Sequence, residues 1–477
     1  MRNRIVFFCF LCLLLPTVCA CAAGSEDADG FHTVLTPTGE GIACRPTPGP
    51  SFSGKLESLP SSVPGEADPW QVEIRGRDLT SLDLTGRLAD LDYAIFDNHT
   101  KWPAQLPEPF DPVRYMDLGR NPGLGLRALH QRGITGRGVA IAIVDQALLV
   151  DHTEYRDRLR LYEEIRCWGE AAQMHGPAVA SIAVGKTVGV APEADLYYIG
   201  TTFFSGSSSE GPAKRDFSGP AAAIERILEI NQKLPPDSRV RVLSISVGAD
   251  PSEAGSDEFH AAIAEAKDAG IFVVSSNLTQ HYGFSFHGLG RDPVGDPEQP
   301  SSYREPSFGG GFPSTVLRVP MDARCTASPT GLDDYAFYPQ GGWSWAIPYI
   351  AGLYALACQA QPDITPEAFW TAALETGDPM PPGEPPAASR GELEKRFAEM
   401  VDQDLTHWKQ NRTPDELARD LAQAYTELGG EPRDTVSEAD FREIVIKRFT
   451  DQEMAKRKTP GIIVNPARLI DRLQQSQ

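Results

Sequence analysis

The chain has little positive charge for its size. Its 477 residues contain 44 Lys and Arg against 65 Asp and Glu, which gives a formal net charge of −21 at pH 7. Binding to nucleic acid needs a basic surface that neutralises phosphates, and we find no strong basic cluster along the sequence. We therefore expect no nucleic-acid partner.

Cysteine is also scarce outside the N-terminus. Of the eight cysteines, Cys9, Cys12, Cys19 and Cys21 lie at the start of the chain, and the others are far apart, at Cys44, Cys167, Cys325 and Cys358. This spacing indicates neither a metal site nor a disulfide framework. No Gly-x-Gly-x-x-Gly loop follows a predicted strand, so a nucleotide-binding α/β protein is set aside. We expect neither a metal ion nor a cofactor.

The N-terminus has the features of an export signal. Arg2 and Arg4 precede an apolar run over residues 6–15, which is too short to span a membrane as a mature helix. The following Val18-Cys19-Ala20-Cys21 resembles a bacterial lipobox, in which Cys21 would receive a lipid and become the mature N-terminus. Cleavage at the small residues 20–22 is the alternative. We therefore expect a signal peptide over residues 1–20 and a protein anchored to the extracytoplasmic face of the cell membrane, or else secreted.

Composition and periodicity divide the rest of the chain into successive segments. The first is rich in Gly, Ser, Pro and acidic residues, and a later one is charged with helical spacing and helix-start signals. We predict a flexible linker over 21–68, an N-terminal extension over 69–124, a main domain over 125–379, a charged helical insertion over 380–458 and a closing segment over 459–477.

In the main domain, apolar runs alternate with helical patterns. The run from Val139 to Val144 is rich in β-branched residues, which is typical of a strand buried on both faces of a parallel sheet. Further runs at 195–199, 240–248 and 271–274 are separated by helical segments. The sequence therefore predicts an α/β fold, with a doubly wound parallel sheet, helices on both faces and right-handed crossovers.

Three polar residues stand at the ends of these elements. Asp145 ends the first predicted strand, at the edge where open α/β sheets bind ligands. His175 begins a helix, and Ser344 lies just before an apolar helical run that continues to Cys358. Each residue also has an ordinary structural interpretation: a strand-ending turn, a structural histidine and a helix N-cap.

The order of these motifs resembles that of the subtilisin-like serine peptidases (peptidase S8). A strand ending in Asp is followed by His-Gly-x-x-Val-Ala and then by Gly-x-Ser-x-Ala-x-Pro-x-x-Ala-Gly. The likeness covers roughly residues 125–377 and returns at 461–470. The resemblance implies a subtilisin-like fold, with Ser344 as nucleophile, His175 as general base and Asp145 as the carboxylate that orients the histidine.

The same resemblance implies the rest of the cleft. Asn277 matches the side chain of the oxyanion hole, and the segment Ser246, Val247 and Gly248 would line the cleft and pair with an extended peptide. For Asn277 a turn residue or a glycosylation sequon with Thr279 are the alternatives. The loop over residues 184–188 lacks the insertion that holds calcium in many relatives, so we predict no calcium there.

The functional expectation follows from the resemblance. It is an exported serine endopeptidase that cleaves peptide or protein substrates through an acyl-enzyme. Trp343 and Trp345 flank Ser344, where the family usually has smaller or more flexible residues. The alternative is therefore a catalytically inactive scaffold that binds peptides or a protein partner, with the two tryptophans filling the cleft.

Overall fold

The structure is a computed structural model. It describes residues 33–34, 45–48, 53–61, 71–167, 169, 171–205, 214–306, 316–380, 390–456 and 461–475. The predicted signal peptide and Cys21 lie outside the described residues.

The strands are short, and we number them in chain order. They are β1 Thr33–Val34, β2 Gly54–Lys55, β3 Val72–Glu73, β4 Arg77–Asp78, β5 Ala94–Asp97, β6 Ala140–Asp145, β7 Leu159–Ile165, β8 Asp195–Thr201, β9 Phe204–Ser205, β10 Lys214–Arg215, β11 Val240–Ile245, β12 Phe272–Ser275, β13 Phe286–Arg291, β14 Tyr303–Arg304, β15 Leu317–Pro320, β16 Arg324–Ala327, β17 Tyr335–Tyr338, β18 Asp378–Pro379 and β19 Ile462–Ile463.

The helices are numbered in the same way. They are α1 Leu88–Leu91, α2 Pro112–Gly119, α3 Leu126–Gln131, α4 His175–Val184, α5 Ser218–Lys233, α6 Ser256–Asp268, α7 Leu278–Tyr282, α8 Trp343–Ala360, α9 Pro366–Thr376, α10 Arg390–Asn411, α11 Pro414–Glu427, α12 Glu438–Lys456 and α13 Pro466–Gln474.

The central sheet has the strand order β1-β7-β8-β6-β11-β12, and every pairing in it is parallel. Successive side chains of a strand point to opposite faces, so β6 contributes to two cores. Ile141 and Ile143 join the core formed with α4 and α8, whereas Ala142 and Val144 join the core formed with α5 and α6. The predicted α/β class, with helices on both faces of a doubly wound parallel sheet, is confirmed.

The helix α8 runs through the larger core and is buried along almost its whole length. It begins directly after Gly341 and Gly342, where the chain passes very close to its surroundings. A Cβ atom at Gly341 would lie 2.4 Å from the carbonyl oxygen of Met321 and 2.7 Å from the ring of Trp345. Glycine therefore allows the first turn of α8 to sit tightly against β15 and the central sheet.

The N-terminal extension is part of the body rather than an appendage. Strands β3 and β5 complete a four-stranded sheet of order β16-β17-β5-β3. Phe96 of β5 lies opposite Phe337 of β17, and their rings stack with centroids 5.1 Å apart. Because this sheet shares one apolar core between the extension and the main domain, removal of the extension would expose that core.

Parts of the predicted flexible linker are also packed against the body, which differs from the expectation of a free tether. Leu59 is buried in the same core as Phe96, and β2 pairs with β4. Arg45 forms an ion pair with Glu164 of β7 at 2.5 Å. Burial of Leu59 and this charge pair explain why composition alone overestimated the freedom of the segment.

The C-terminal part contains the predicted helical insertion and closing segment. Helices α10, α11 and α12 form a three-helix unit with a small core of its own, built from Val401, Leu405, Leu421, Phe441 and Val445. The predicted helix start at Thr413 is confirmed as a capping box with Glu416. After the insertion, β19 pairs in parallel with β15, and α13 packs against α8 and α9.

Candidate active site

Asp145 and His175 meet at the carboxyl end of the central sheet. Asp145 is the last residue of β6 and is 1% exposed, and His175 is the first residue of α4. The Nδ1 atom of His175 lies 2.7 Å from Oδ1 of Asp145. The backbone N–H of Gln146 donates to the same carboxylate oxygen at 2.8 Å. These two bonds hold the carboxylate and the imidazole in one relative orientation.

The electrostatics of His175 suit a base. Burial acts to lower the pKa of His175, but the charge of Asp145 and its hydrogen bond outweigh burial and raise that pKa above its ordinary value. A neutral imidazole that donates from Nδ1 to a carboxylate keeps a lone pair on Nε2. This nitrogen is then available to accept a proton.

Ser344 is the second residue of α8 and is partly exposed. Its hydroxyl donates to the carbonyl oxygen of Ser246 at 3.4 Å, and the hydroxyl of Ser246 donates to the carbonyl oxygen of Ser344 at 3.1 Å. In the described part of the chain, no hydrogen bond joins Ser344 to His175. The N-cap of α8 is Gly342, with no capping side chain, so the alternative interpretation of Ser344 as an N-cap is wrong.

Trp345 places the first turn of α8 beside His175. The centroids of the two rings are 5.5 Å apart, with an angle of 37° between the planes. Trp345 is 4% exposed and also contacts Tyr338 edge-on at 5.3 Å. Trp345 is therefore buried between His175 and Tyr338. Trp343 lies against Phe286 at a centroid distance of 5.3 Å.

Asn277 follows β12, and both the oxygen and the nitrogen of its side-chain amide form hydrogen bonds. Its Oδ1 accepts from the N–H of Ala249 at 2.8 Å, and its Nδ2 donates to the carbonyl of Ala249 at 3.2 Å and to Oε1 of Gln280 at 3.0 Å. A Cβ atom at Gly248 would lie 2.5 Å from Oδ1 of Asn277, so Gly248 permits this close approach. To donate a hydrogen bond to an oxyanion, the Nδ2 group of Asn277 would have to give up one of these two hydrogen bonds.

The segment Ser246, Val247 and Gly248 extends from β11 past Ser344. The carbonyl of Val247 accepts from the N–H of Ser276 at 3.1 Å. The carbonyl of Gly248 accepts from Nη2 of Arg215 at 2.8 Å, and Arg215 also pairs with Glu253 at 3.1 Å. The structure thus brings this segment next to Ser344, with Arg215 at its outer end.

Sequence reasoning missed several of these contacts. The bond between Ser246 and Ser344 and the bond between Arg215 and Gly248 join residues that are far apart in the chain, and no local pattern indicates them. Trp345 was noticed only as a departure from the family pattern. Its place against His175 depends on the crossing of α8 and α4, which a sequence does not specify.

Neither a metal site nor a membrane-spanning helix is found among the described residues. Among them, no group of three or more His, Cys, Asp or Glu side chains is placed to hold a metal ion. Within the same residues, no helix is both long enough and apolar enough to cross a membrane.

One segment of the chain resembles a known family. Residues 136–301 match the model of the subtilase family, peptidase S8. This part of the chain is therefore similar to the subtilases. It contains Asp145, His175 and Asn277, and it ends before Ser344. Subtilases are serine-type peptidases, so the matched segment is similar to proteins of that kind.

Among solved structures, that of the prenylagaramide maturation protease PagA is similar to this chain. The match covers 54% of this chain and 90% of the other, with 17% sequence identity and a TM-score of 0.38.

Proposed function

We propose that the protein is an exported serine endopeptidase that uses Ser344 as nucleophile, His175 as general base and Asp145 to orient the histidine. The observation that carries the proposal is the 2.7 Å contact between Asp145 and His175 at the edge of the sheet where α8 begins. Trp345, the residue after Ser344, lies against the same histidine. A carboxylate bonded to an imidazole, with a serine hydroxyl on the adjoining helix turn, are the parts that acyl transfer requires.

The proposed chemistry has two halves. The hydroxyl oxygen of Ser344 attacks the peptide carbonyl carbon while Nε2 of His175 takes the hydroxyl proton. The C–N bond then breaks, His175 gives the proton to the leaving amine, and the acyl group stays on Ser344. Water attacks this ester by the same route, with His175 again taking and returning the proton, and the acid product leaves.

Two groups support the transition state in this proposal. The unpaired N–H groups in the first turn of α8 and the amide of Asn277 would donate to the oxyanion. The bond from Asn277 to Gln280 joins two side chains, so rotation of the exposed Gln280 side chain would free one N–H of Asn277 for the oxyanion. An extended substrate would lie along Ser246, Val247 and Gly248 as an added strand.

Export and anchoring form a separate part of the proposal. The positive residues Arg2 and Arg4, the short apolar run and the lipobox-like sequence before Cys21 support a lipid anchor. Mass spectrometry of the mature N-terminus tests this directly. A diacylglyceryl group on Cys21 is expected, and an unmodified N-terminus at another residue would contradict the anchor and indicate secretion.

Labelling with a fluorophosphonate tests the catalytic proposal. The purified wild-type chain should be labelled at Ser344, and Ser344→Ala and His175→Ala should not be labelled although both remain folded. Ser246→Ala is the matched control, since its hydroxyl contacts Ser344 but takes no part in the acyl transfer. Peptide hydrolysis that persists in Ser344→Ala would overturn the assignment.

A catalytically inactive scaffold is the second candidate. Two observations favour it. Ser344 forms its hydrogen bond with Ser246 instead of His175. Both N–H groups of the Asn277 side chain already donate hydrogen bonds within the protein. If this candidate is correct, a well-folded wild-type chain would resist the label and would still bind an extended peptide along residues 246–248. Labelling at Ser344 would exclude it.

A further inference from the structure

Arg324 of β16 is the largest fully buried side chain in the described part of the chain, with 2% of its surface exposed. Its Nη2 donates to the carbonyl oxygen of Val188 at 3.2 Å. Its Nε and Nη1 have no partner among the described residues. A guanidinium stays protonated in proteins, so this is a buried positive charge with two unused donors. Such a group is costly unless it is paired.

The described residues provide no carboxylate for it. Arg318, which also lies on a buried strand, pairs with Glu305 at 2.7 Å, whereas Arg324 forms no ion pair within the described ranges. A neighbouring guanidinium, that of Arg291, adds positive charge: burial and the charge of Arg324 both lower the pKa of Arg291. Arg291 donates to the backbone carbonyls of Gly295 and Ala323.

Two buried acids lie in this region, and the charge of neither acts on Arg324. Glu154 accepts from the N–H groups of the loop over residues 187–188. Asp322 accepts from the N–H of Gly341 at 2.9 Å, and burial raises the pKa of its carboxyl to about 7. The opposing charges that act on Asp322 are those of Arg304 and Arg291. Asp322 therefore leaves the charge of Arg324 unbalanced.

The side chains whose charges act on Arg324 are those of Tyr349, Tyr303 and Cys325, and none of them is a carboxylate. The guanidinium carbon of Arg324 lies 5.7 Å from the ring centroid of Tyr349, which is fully buried and whose hydroxyl has no partner in the described part of the chain. Thr326, two residues along β16, lies on the same face of the strand, and its hydroxyl is also buried without a partner there. An anion can accept hydrogen bonds from these N–H and O–H groups, whereas the positive charge of Arg324 would repel a metal cation.

We propose that Arg324 and Tyr349 form a buried binding site for a small monovalent inorganic anion, chloride. The anion would accept from Nε and Nη1 of Arg324 and from the hydroxyl of Tyr349, and it would neutralise the guanidinium. A water molecule would satisfy the donors but leave the charge unbalanced. The proposal concerns a site other than the catalytic one and does not depend on peptidase activity.

The position of the site gives the anion a structural role. Val188, which accepts from Arg324, follows the helix α4 that begins at His175, and Tyr349 belongs to the helix α8 that carries Ser344. Strand β16 packs against α4, which in turn packs against α8. A bound anion would therefore join the two helices on which the candidate active site is built.

A halide titration of thermal stability tests the proposal on the full chain. The melting temperature should rise by about 3–6 °C between chloride-free gluconate buffer and saturating chloride at constant ionic strength, because the anion binds the folded state only. Bromide should have the same effect. Tyr349→Phe should need roughly ten times more chloride, since one hydrogen bond to a charged group is lost.

Arginine variants separate this site from general salt effects. Arg324→Met should remove the halide dependence, and Arg318→Met, which loses an arginine already paired with Glu305, should keep it. A wild-type melting temperature that does not change with halide, or a response identical in wild type and Tyr349→Phe, would contradict the site. If Arg324→Met does not fold, the Tyr349→Phe comparison still decides.

Crystals soaked in bromide give a direct test. An anomalous peak at about 3.3 Å from Nε or Nη1 of Arg324 is expected. Density at that place without an anomalous signal at high bromide would mean that water occupies it, and would overturn the proposal.

Discussion

The two halves of the candidate active site differ in how far the fold alone assembles them. Asp145 and His175 are already bonded at 2.7 Å, and the carboxylate is fixed by a second bond from the backbone of Gln146. Ser344 and Asn277 lie at the same edge, but their polar atoms bond to other partners, namely Ser246, Ala249 and Gln280.

The difference has a physical cause. Asp145 is buried at the end of a parallel strand, where a carboxylate without partners would be costly, so the fold provides them whether or not a substrate is present. The partners proposed for Ser344 and Asn277 in catalysis include the substrate carbonyl itself. Catalytic hydrogen bonds are often long or misaligned before substrate binds. We infer that the fold completes the first half and that substrate binding completes the second.

Asp145→Asn should produce the largest effect on the preassembled half. An amide at this position favours the wrong tautomer of His175, and kcat/KM should fall by about 10⁴-fold. Without the carboxylate, burial dominates and the pKa of His175 should fall, so the acidic limb of the pH profile should move to lower pH. The profile of kcat/KM against pH measures both effects.

The interaction between Asp145 and His175 should also make the stability of the folded protein depend on pH. The folded-state pKa of His175 is raised, so its interaction with Asp145 contributes fully below the unfolded pKa of about 6.5 and is lost as the pH rises through the folded pKa. Asp145→Asn should remove this pH dependence. An unchanged rate and pH profile in the variant would show that the contact is structural only.

Asn277→Ala tests the part of the site that we infer substrate binding completes. If its amide donates to the oxyanion, kcat should fall by about 10²–10³-fold while KM changes little. Gln280→Ala is the informative companion, because it frees one Nδ2 proton of Asn277 and should raise kcat by a few fold. If neither variant changes kcat, the amide of Asn277 serves only to hold the loop at Ala249.

Sequence predicts the elements better than their mutual contacts. The sequence predicts strand β6 and the start of α4 within a residue, because a continuous β-branched run and an apolar helical stretch that follows His175 are local signals. The shared sheet of β3, β5, β16 and β17 was not predicted. Its pairing of Phe96 with Phe337 joins short strands more than two hundred residues apart, which no local pattern specifies.

The same limit applies to the site. Motif order proposes Asp145, His175 and Ser344 as the site residues, because the motifs around them follow the order found in the family. Which atoms they contact does not follow. The bond from Ser344 to Ser246 and the engagement of Asn277 with Ala249 depend on the exact approach of three loops, and a sequence motif carries no such distance.

Trp345 connects the two halves, since it follows Ser344 and packs against His175. Trp345→Leu should destabilise the protein by about 3 kcal/mol through loss of buried aromatic volume. It should also lower the pKa of His175, because the ring stabilises the imidazolium. Trp345→Phe, which keeps an aromatic ring, should restore most of the pH profile. Thermal denaturation and the kcat profile against pH separate the two effects, and a profile unaffected by Leu would mean that Trp345 only fills space.

The smallest expected effect concerns the helix that follows Asn277. His281 of α7 contacts His260 of α6, with Nε2 and Nδ1 at 3.1 Å, and burial together with the charges of His260 and Lys267 lowers its pKa to about 4. Between the unfolded pKa of about 6.5 and pH 4, the unfolded chain binds a proton at this position and the folded chain does not, so stability falls as the pH falls. His281→Gln should flatten this slope in melting temperatures measured from pH 7 to pH 4.

His99→Gln should act in the opposite direction, because the hydrogen bond to Asp334 raises the pKa of His99. The stability that this interaction contributes is present at low pH and lost as the pH rises. If the slope of melting temperature against pH is the same in both variants as in the wild type, neither histidine contributes to the pH dependence of stability.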